Sequence, residues 1–314
     1  MRDTLAAAPP RALVSPRHLT GPQDLDRRLI QDLLDRASAF ESEDEPQHRL
    51  RGRLLATLFY EPSTRTRLSF EAAMHRLGGQ VLSAENAGKT SSAAKGESLE
   101  DAVRVISGYA DAIVLRHPEV GAADRAAGAA DVPLINAGDG PGHHPTQALL
   151  DLYTIKKELG RLDHLRIGLA GDLRHGRTVR SLAILLSRFP GNELVLISSD
   201  GLRMAEDVLA ALPRPVIETS ELMAAAAGLD VLYQTRVQAE RFESRDEYER
   251  YSKVSVVTAE VMRRLPEHAI LMHPLPRQAE IDPEVDVDPR AAYFRQARNG
   301  VWARMAVLDW ALER

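Results

Sequence analysis

Ser63-Thr64-Arg65-Thr66-Arg67 sets hydroxyl and guanidinium side chains next to one another, a combination suited to holding a polyanion. Hydroxyls donate single hydrogen bonds to phosphate oxygens, and a guanidinium forks onto two acceptors at once. Ahead of this group the apolar run Leu54–Tyr60 predicts a buried strand, which Pro62 breaks. After it, Phe70, Ala73, Met74 and Leu77 recur at helical spacing until Gly78-Gly79 stops the helix. The hydroxyls and Arg65 therefore stand at a helix start, where unpaired N–H groups and the helix dipole already attract anions. Taken singly, Ser63 reads equally well as a helix cap and the arginines as solvated surface. Strand, proline, hydroxyl-rich turn and helix together favour an anion cradle.

Four other stretches carry possible chemistry. Gly171-Asp-Leu-Arg-His-Gly-Arg-Thr178 has the spacing of a nucleotide P-loop, but Arg177 stands where the lysine belongs. That speaks against ATP and suits a planar carboxylate. Asn136 to Gln147 ends a strand with glycines and presents His143, His144, Thr146 and Gln147; the adjacent histidines lack a carboxylate at ligand spacing, so no metal is expected. Thr90-Ser-Ser-Ala-Ala-Lys-Gly-Glu97 is small, polar and aperiodic, which reads as a mobile loop with Lys95 at its surface. His273-Pro-Leu-Pro-Arg277 fixes a rigid backbone whose carbonyls can face a cleft, although a stiff strand exit explains it equally well. No Ser-His-Asp order or zinc motif is evident.

The elements needed to position these groups recur along the chain. An amphipathic helix is expected at Leu25–Ala39 and a solvated acidic loop at Glu41–Glu45. Strands follow at Leu54–Tyr60, Gln80–Ser83, Ala112–Arg116 and Pro133–Asn136, then a helix at Gln147–Leu159. The rhythm restarts with strands at Arg166–Ala170, Glu193–Ser198, Pro215–Glu218, Val231–Gln234 and Ala269–Met272, and a final helix is expected from about Gly300 to Glu313. This is the pattern of two α/β domains with doubly wound parallel sheets. The polar clusters fall after strands, at the carboxyl ends where such sheets bind ligands, so a site in the interdomain cleft follows.

Bulk properties narrow the function. With 314 residues and 44% of them hydrophobic, the chain suits two domains with sizeable cores. A net charge of −5 gives no overall field favouring nucleic acid or anionic lipid, so an anion site must be a local gathering of arginine. There are no cysteines, which excludes disulfides, thiolate catalysis and cysteine-ligated zinc and is compatible with a reducing cytoplasm. Met1–Val14 makes a poor signal peptide and reads as a frayed terminus, and no stretch has the roughly 20 apolar residues of a membrane span. A cytoplasmic, soluble protein is the expectation.

In order along the chain, Ser63-Thr-Arg-Thr-Arg67, Ser91 with Lys95-Gly-Glu97, Arg116-His-Pro118, His144-Pro-Thr-Gln147, Gly171-Asp172 with Gly176-Arg-Thr178, Thr235-Arg-Val-Gln238 and His273-Pro-Leu-Pro-Arg277 resemble the catalytic chain of the aspartate carbamoyltransferases. The resemblance covers roughly Arg17 to Leu308. It implies transfer of the carbamoyl group of carbamoyl phosphate to the amine of L-aspartate, an early step of pyrimidine synthesis, without a cofactor. It also implies a carbamoyl-phosphate domain over 1–146, an aspartate domain over 147–291, and a terminal segment 292–314 whose helix returns to the first domain.

By the same resemblance, Ser63, Thr64, Arg65 and Thr66 hold phosphate, assisted by Arg116 and by Ser91 and Lys95 from a neighbouring chain of a homotrimer. Thr66, Arg116 and His144 contact the carbamoyl oxygen, while Gln147 and the backbone at Leu275-Pro276 hold the carbamoyl nitrogen. Arg177, Arg236 and Gln238 grip aspartate, with Lys95, Leu275 and Pro276 bordering that side; Arg65, Thr66, Lys95, Arg116 and His144 carry the catalysis. A cis Leu275-Pro276 bond is expected as well. A regulatory or dihydroorotase chain as a further partner is left open.

Two departures lie beside these residues: His143 where the family often has glutamine, and Glu119-Val-Gly-Ala-Ala123 after the Arg-His-Pro motif. The rival readings are a carbamoyltransferase for ornithine, whose Ser-Met-Gly loop and His-Cys-Leu-Pro motif are missing here, and an inactive scaffold homologue.

Overall fold

The computed structural model describes residues 16–42, 46–90, 96–212, 216–237, 244, 245, 248, 251 and 255–313. The first part runs α1 (Arg27–Ser42), β1 (Leu54–Phe59), α2 (Thr64–Arg76), β2 (Gln80–Glu85), α3 (Ala87–Thr90), α4 (Leu99–Ser107), β3 (Ala112–His117), α5 (Ala122–Ala129), β4 (Leu134–Asp139) and α6 (Pro145–Leu159). The second continues with β5 (Arg166–Ala170), α7 (Arg177–Leu186), β6 (Glu193–Ile197), α8 (Glu206–Ala211), β7 (Ile217–Thr219), α9 (Leu222–Ala226), β8 (Val231–Gln234), α10 (Ala259–Arg264), β9 (Ile270–Met272) and the C-terminal helix α11 (Tyr293–Leu312).

The strands form two parallel sheets, β2-β1-β3-β4 and β7-β6-β5-β8-β9. In each, the chain starts in the middle, winds to one edge, and crosses back to build the other side. The reversal falls between β1 and β3 in the first sheet and between β5 and β8 in the second, and there the loops diverge and leave a crevice. β1 and β5 are buried except at their first residue, as expected of apolar strands covered by helices on both faces. One buried cluster joins Leu55 and Ile135 of the first sheet, Leu149, Leu152 and Ile155 of α6, and Ile167 and Tyr233 of the second.

The C-terminal helix packs on α1, α2 and α6, so the chain ends against the first sheet's helices. It begins at Tyr293, seven residues before the Gly300 start expected from sequence. Gly300 lies inside the helix, and it is glycine there because a Cβ would come within 3.1 Å of Leu150 Cδ2 and 2.4 Å of Arg304 Nη1. That glycine marks the close approach of two helices, not a boundary. Glu41, expected in a solvated loop, instead lies in the last turn of α1 and accepts from Tyr153 and Lys157 of α6; residues 43–45 fall outside the described set. The strand expected at Pro215–Glu218 is Ile217–Thr219.

Candidate active site

Between the carboxyl edges of the two sheets lies a cavity of about 960 Å³. Ser63, Thr64, Arg65 and Thr66 line it from the first turn of α2. Ser63 is the N-cap residue, yet its side chain makes no capping bond, so the hydroxyl is not used by the helix. The two arginines of this turn part company. Arg65 faces the cavity, whereas Arg67 turns to the edge strand and pairs with Glu71 at 3.2 Å and Glu85 at 3.0 Å.

Arg116, the last but one residue of β3, also lines the cavity, its Nη1 donating to Ala137 O at 3.4 Å and its Nε buried without a partner. Beside it the β4–α6 turn is tied by Asp139, whose Oδ1 accepts from His143 N at 2.7 Å and whose Oδ2 accepts from Gly121 N at 2.8 Å. This turn delivers His144 to the N-cap of α6, with Pro145 opening the helix and Gln147 one step inside it. His144 and Gln147 are buried and line the cavity.

The second sheet supplies Arg177 at the start of α7, Arg236 after β8, and Leu275 and Pro276 after β9. Arg177 Nη1 donates to Gly140 O at 2.8 Å, so a second-sheet arginine is anchored on a first-sheet loop. Gly138, at φ +117°, allows this: a Cβ there would lie 3.0 Å from Arg177 Cζ and 3.3 Å from Arg116 Nη1. Leu275-Pro276 is cis, as expected, and Leu275 N donates to His273 Nδ1 at 2.8 Å.

Among the described residues five arginines line the cavity: 65, 116, 177, 236 and 304. Among the described lining residues Glu61 is the one carboxylate, its Oε2 3.4 Å from Arg116 Nη2 and 3.5 Å from Arg177 Nη1. Burial and the neighbouring charges of Arg177 and Arg65 push Arg116 down to about 9, with Glu61 working against them. Burial and the arginines hold His144 well below its ordinary value, so its imidazole is neutral. A chain of net charge −5 has thus gathered a strongly positive pocket with a neutral N–H donor inside it. Such a pocket can take two small polyanions.

Of the residues named from sequence, Ser63, Thr64, Arg65, Thr66, Arg116, His144, Gln147, Arg177, Arg236, Leu275 and Pro276 all border this one cavity. Ser91, Lys95 and Gln238 lie outside the described residues. The departures stay at its margin: His143 Nδ1 sits 3.3 Å from Ser181 Oγ, and Val120 is exposed on the surface turn before α5. Glu61 and Arg304 were missed. Glu61 adjoins the quoted motif, and Arg304 is a charged residue among apolar neighbours on a helix, which was the available signal.

Sequence models of two domains match the chain: "Aspartate/ornithine carbamoyltransferase, carbamoyl-P binding domain" over residues 17–157, and "Aspartate/ornithine carbamoyltransferase, Asp/Orn binding domain" over 163–311. The chloroplastic aspartate carbamoyltransferase of Oryza sativa is 57% identical over 267 residues, covering 84% of this chain and 74% of that protein. The catalytic subunit from Methanopyrus kandleri is 50% identical, over 94% and 97% of the two chains. Among solved structures, the catalytic subunit of M. jannaschii aspartate transcarbamoylase superposes with a TM-score of 0.88 at 48% identity, covering 95% of this chain and 98% of that one. The Trypanosoma cruzi enzyme in complex with N-(phosphonacetyl)-L-aspartic acid also gives 0.88, at 41% identity over 96% and 97%.

Proposed function

The chain belongs to the aspartate/ornithine carbamoyltransferase family, and we infer that its arginine-lined cavity is where the two substrates of that chemistry are held in contact. It is an enzyme that transfers the carbamoyl group of carbamoyl phosphate to the amine of L-aspartate, giving N-carbamoyl-L-aspartate and phosphate for pyrimidine synthesis. The observation that carries the site reading is the convergence of two sheets' switch points on one cationic cavity.

In this reading Ser63, Thr64, Arg65 and Thr66 hold the phosphate on the N-terminus of α2. Thr66, Arg116 and the neutral His144 donate to the carbamoyl oxygen, where negative charge builds as the amine attacks. The amine gives up a proton, the bond from carbonyl carbon to phosphate oxygen breaks, and the departing phosphate, which can take that proton, is stabilised by the same cations that held it. Gln147 and the backbone at Leu275-Pro276 accept from the carbamoyl nitrogen; Arg177 and Arg236, joined by Gln238, grip aspartate's carboxylates. Fixed donors around a developing oxyanion contribute about 10²–10³ each, and clamping both reactants removes much of the entropic barrier. No side chain need act as a covalent nucleophile.

Ser91 and Lys95 come from a neighbouring copy in this reading, making the working form a homotrimer. Support comes from the exposed edge: β2 has no strand on its outer side among the described residues, and Leu82 and the cavity-lining Leu68 are exposed near it. A reducing cytoplasm suits a chain without cysteine.

Assaying carbamoylation of aspartate and ornithine side by side tests the function: turnover of aspartate alone is expected, and turnover of ornithine alone overturns it. For the shared site, Arg65→Ala and Lys95→Ala chains, each nearly inactive, are expected to regain activity when mixed and reassembled. Mixtures that stay inactive while wild-type chains survive the same treatment mean each site is self-contained.

A further inference from the structure

Asp151 lies one helical turn after Gln147 on α6 and is fully buried, behind the cavity wall instead of in it. Its Oδ1 accepts from Gln147 Nε2 at 2.9 Å and from Gln296 Nε2 at 2.7 Å, and its Oδ2 accepts from Tyr233 OH at 2.8 Å. α6, α11 and β8 thus meet on one carboxylate. Burial pushes the carboxyl up to about 7, with the three donors and the charge of Arg304 working against that rise.

The consequence lies in the two amides. A carboxamide has a donor end and an acceptor end, and a carboxylate oxygen takes only the donor end. With Nε2 committed to Asp151, Gln147 turns its oxygen away from Asp151, and the side chain borders the cavity. Gln296 is oriented in the same way: Nε2 goes to Asp151 and Oε1 accepts from His273 N at 2.9 Å. His273 Nδ1 in turn accepts from Leu275 N, so this arm ends on the His273–Pro276 turn.

We propose that Asp151 is a positioning residue for carbamoyl transfer: it fixes which way the Gln147 and Gln296 amides face, so that the carbamoyl NH₂ meets oxygen acceptors only. A flipped Gln147 would set NH₂ against NH₂ and leave buried donors unpaired. The proposal rests on the reading of Gln147 and the Leu275-Pro276 backbone as the acceptors of that nitrogen.

Acetyl phosphate, which carries CH₃ where carbamoyl phosphate carries NH₂, isolates the effect. In Asp151→Leu, carbamoyl phosphate is expected to bind about 10- to 100-fold more weakly while acetyl phosphate binding hardly changes. Asp151→Asn is expected to restore most of the preference, since its oxygen can still accept from both glutamines. A preference that survives in Asp151→Leu, or equal weakening of both ligands, overturns the proposal. Should Asp151→Leu not fold, Gln296→Leu severs one arm and is expected to lose part of the preference; an unchanged preference is then the contrary result. Gln147→Leu separates the two levels. If it leaves the preference intact, the underlying reading of Gln147 fails; if it abolishes the preference and Asp151→Leu does not, only the role of Asp151 fails.

Discussion

The two walls of the cavity are built differently. On the first-sheet side, the anion-holding groups sit at the starts of α2 and α6, helices of 13 and 15 residues packed under the C-terminal helix. Thr66, His144 and Gln147 are buried there. On the second-sheet side, Arg177 opens α7, a helix of ten residues, but Arg236 and the His273–Pro276 turn follow strands of four and three residues. The first turns of α2 and α6 belong to helices packed on the C-terminal helix, whereas the His273–Pro276 turn stands beyond a strand end and is held by contacts such as His273 N to Gln296 Oε1. The family's two domain descriptions divide along the same line, carbamoyl-P on one side and Asp/Orn on the other. Two long helix starts thus carry the phosphate side, and a mixed wall of one helix start and two strand exits carries the arginines assigned to the acceptor.

That contrast can be broken or sharpened by mutation. Arg65→Ala is expected to lower kcat about 10³-fold and to weaken phosphate binding, because it removes a charge from both the ground state and the departing phosphate. A loss under tenfold would make the α2 turn a structural feature. Arg236→Ala is expected to raise the KM for aspartate about 10²-fold and to leave carbamoyl phosphate binding unchanged. Equal effects on both ligands would erase the division of labour. The smallest expected effect is on pH dependence. Burial and the arginines hold His144 well below the ordinary imidazole value, so it stays neutral, and turnover is expected to show no loss from imidazole protonation as pH falls through that ordinary value. A fall in turnover through that range that His144→Gln removes would contradict the assignment of a neutral His144.

The first wall was far more legible in the sequence than the second. β1 and α2 could be read because an apolar run, a proline and a helical apolar spacing adjoin one another, and Ser63–Thr66 could be placed at a helix start from those signals alone. The long-range pairings could not be read. Nothing local separates Arg65, which faces the cavity, from Arg67, which pairs with Glu71 and Glu85. Glu61 gains its meaning only when the fold sets Arg116 and Arg177 beside it. Asp151 reads as one more polar residue in a helix until Tyr233 and Gln296 arrive from elements 82 and 145 residues away. Gly300 was misread for the same reason, since its role is set by Leu150 on another helix. On the second wall Arg177 was readable from the glycine-rich turn and helix start around it, whereas Arg236, Gln238 and the roles of Leu275 and Pro276 came from family resemblance, since short strand exits carry little local pattern.

Two anionic reactants are held together in one crevice, the phosphate chiefly by the first wall and aspartate's carboxylates by the second. Calorimetric titration with N-(phosphonacetyl)-L-aspartic acid, which joins a phosphonate to an aspartate, tests it most directly. One molecule is expected to bind per chain, displaced by carbamoyl phosphate and weakened by Arg65→Ala and Arg236→Ala alike. Binding that ignores either substitution would contradict it.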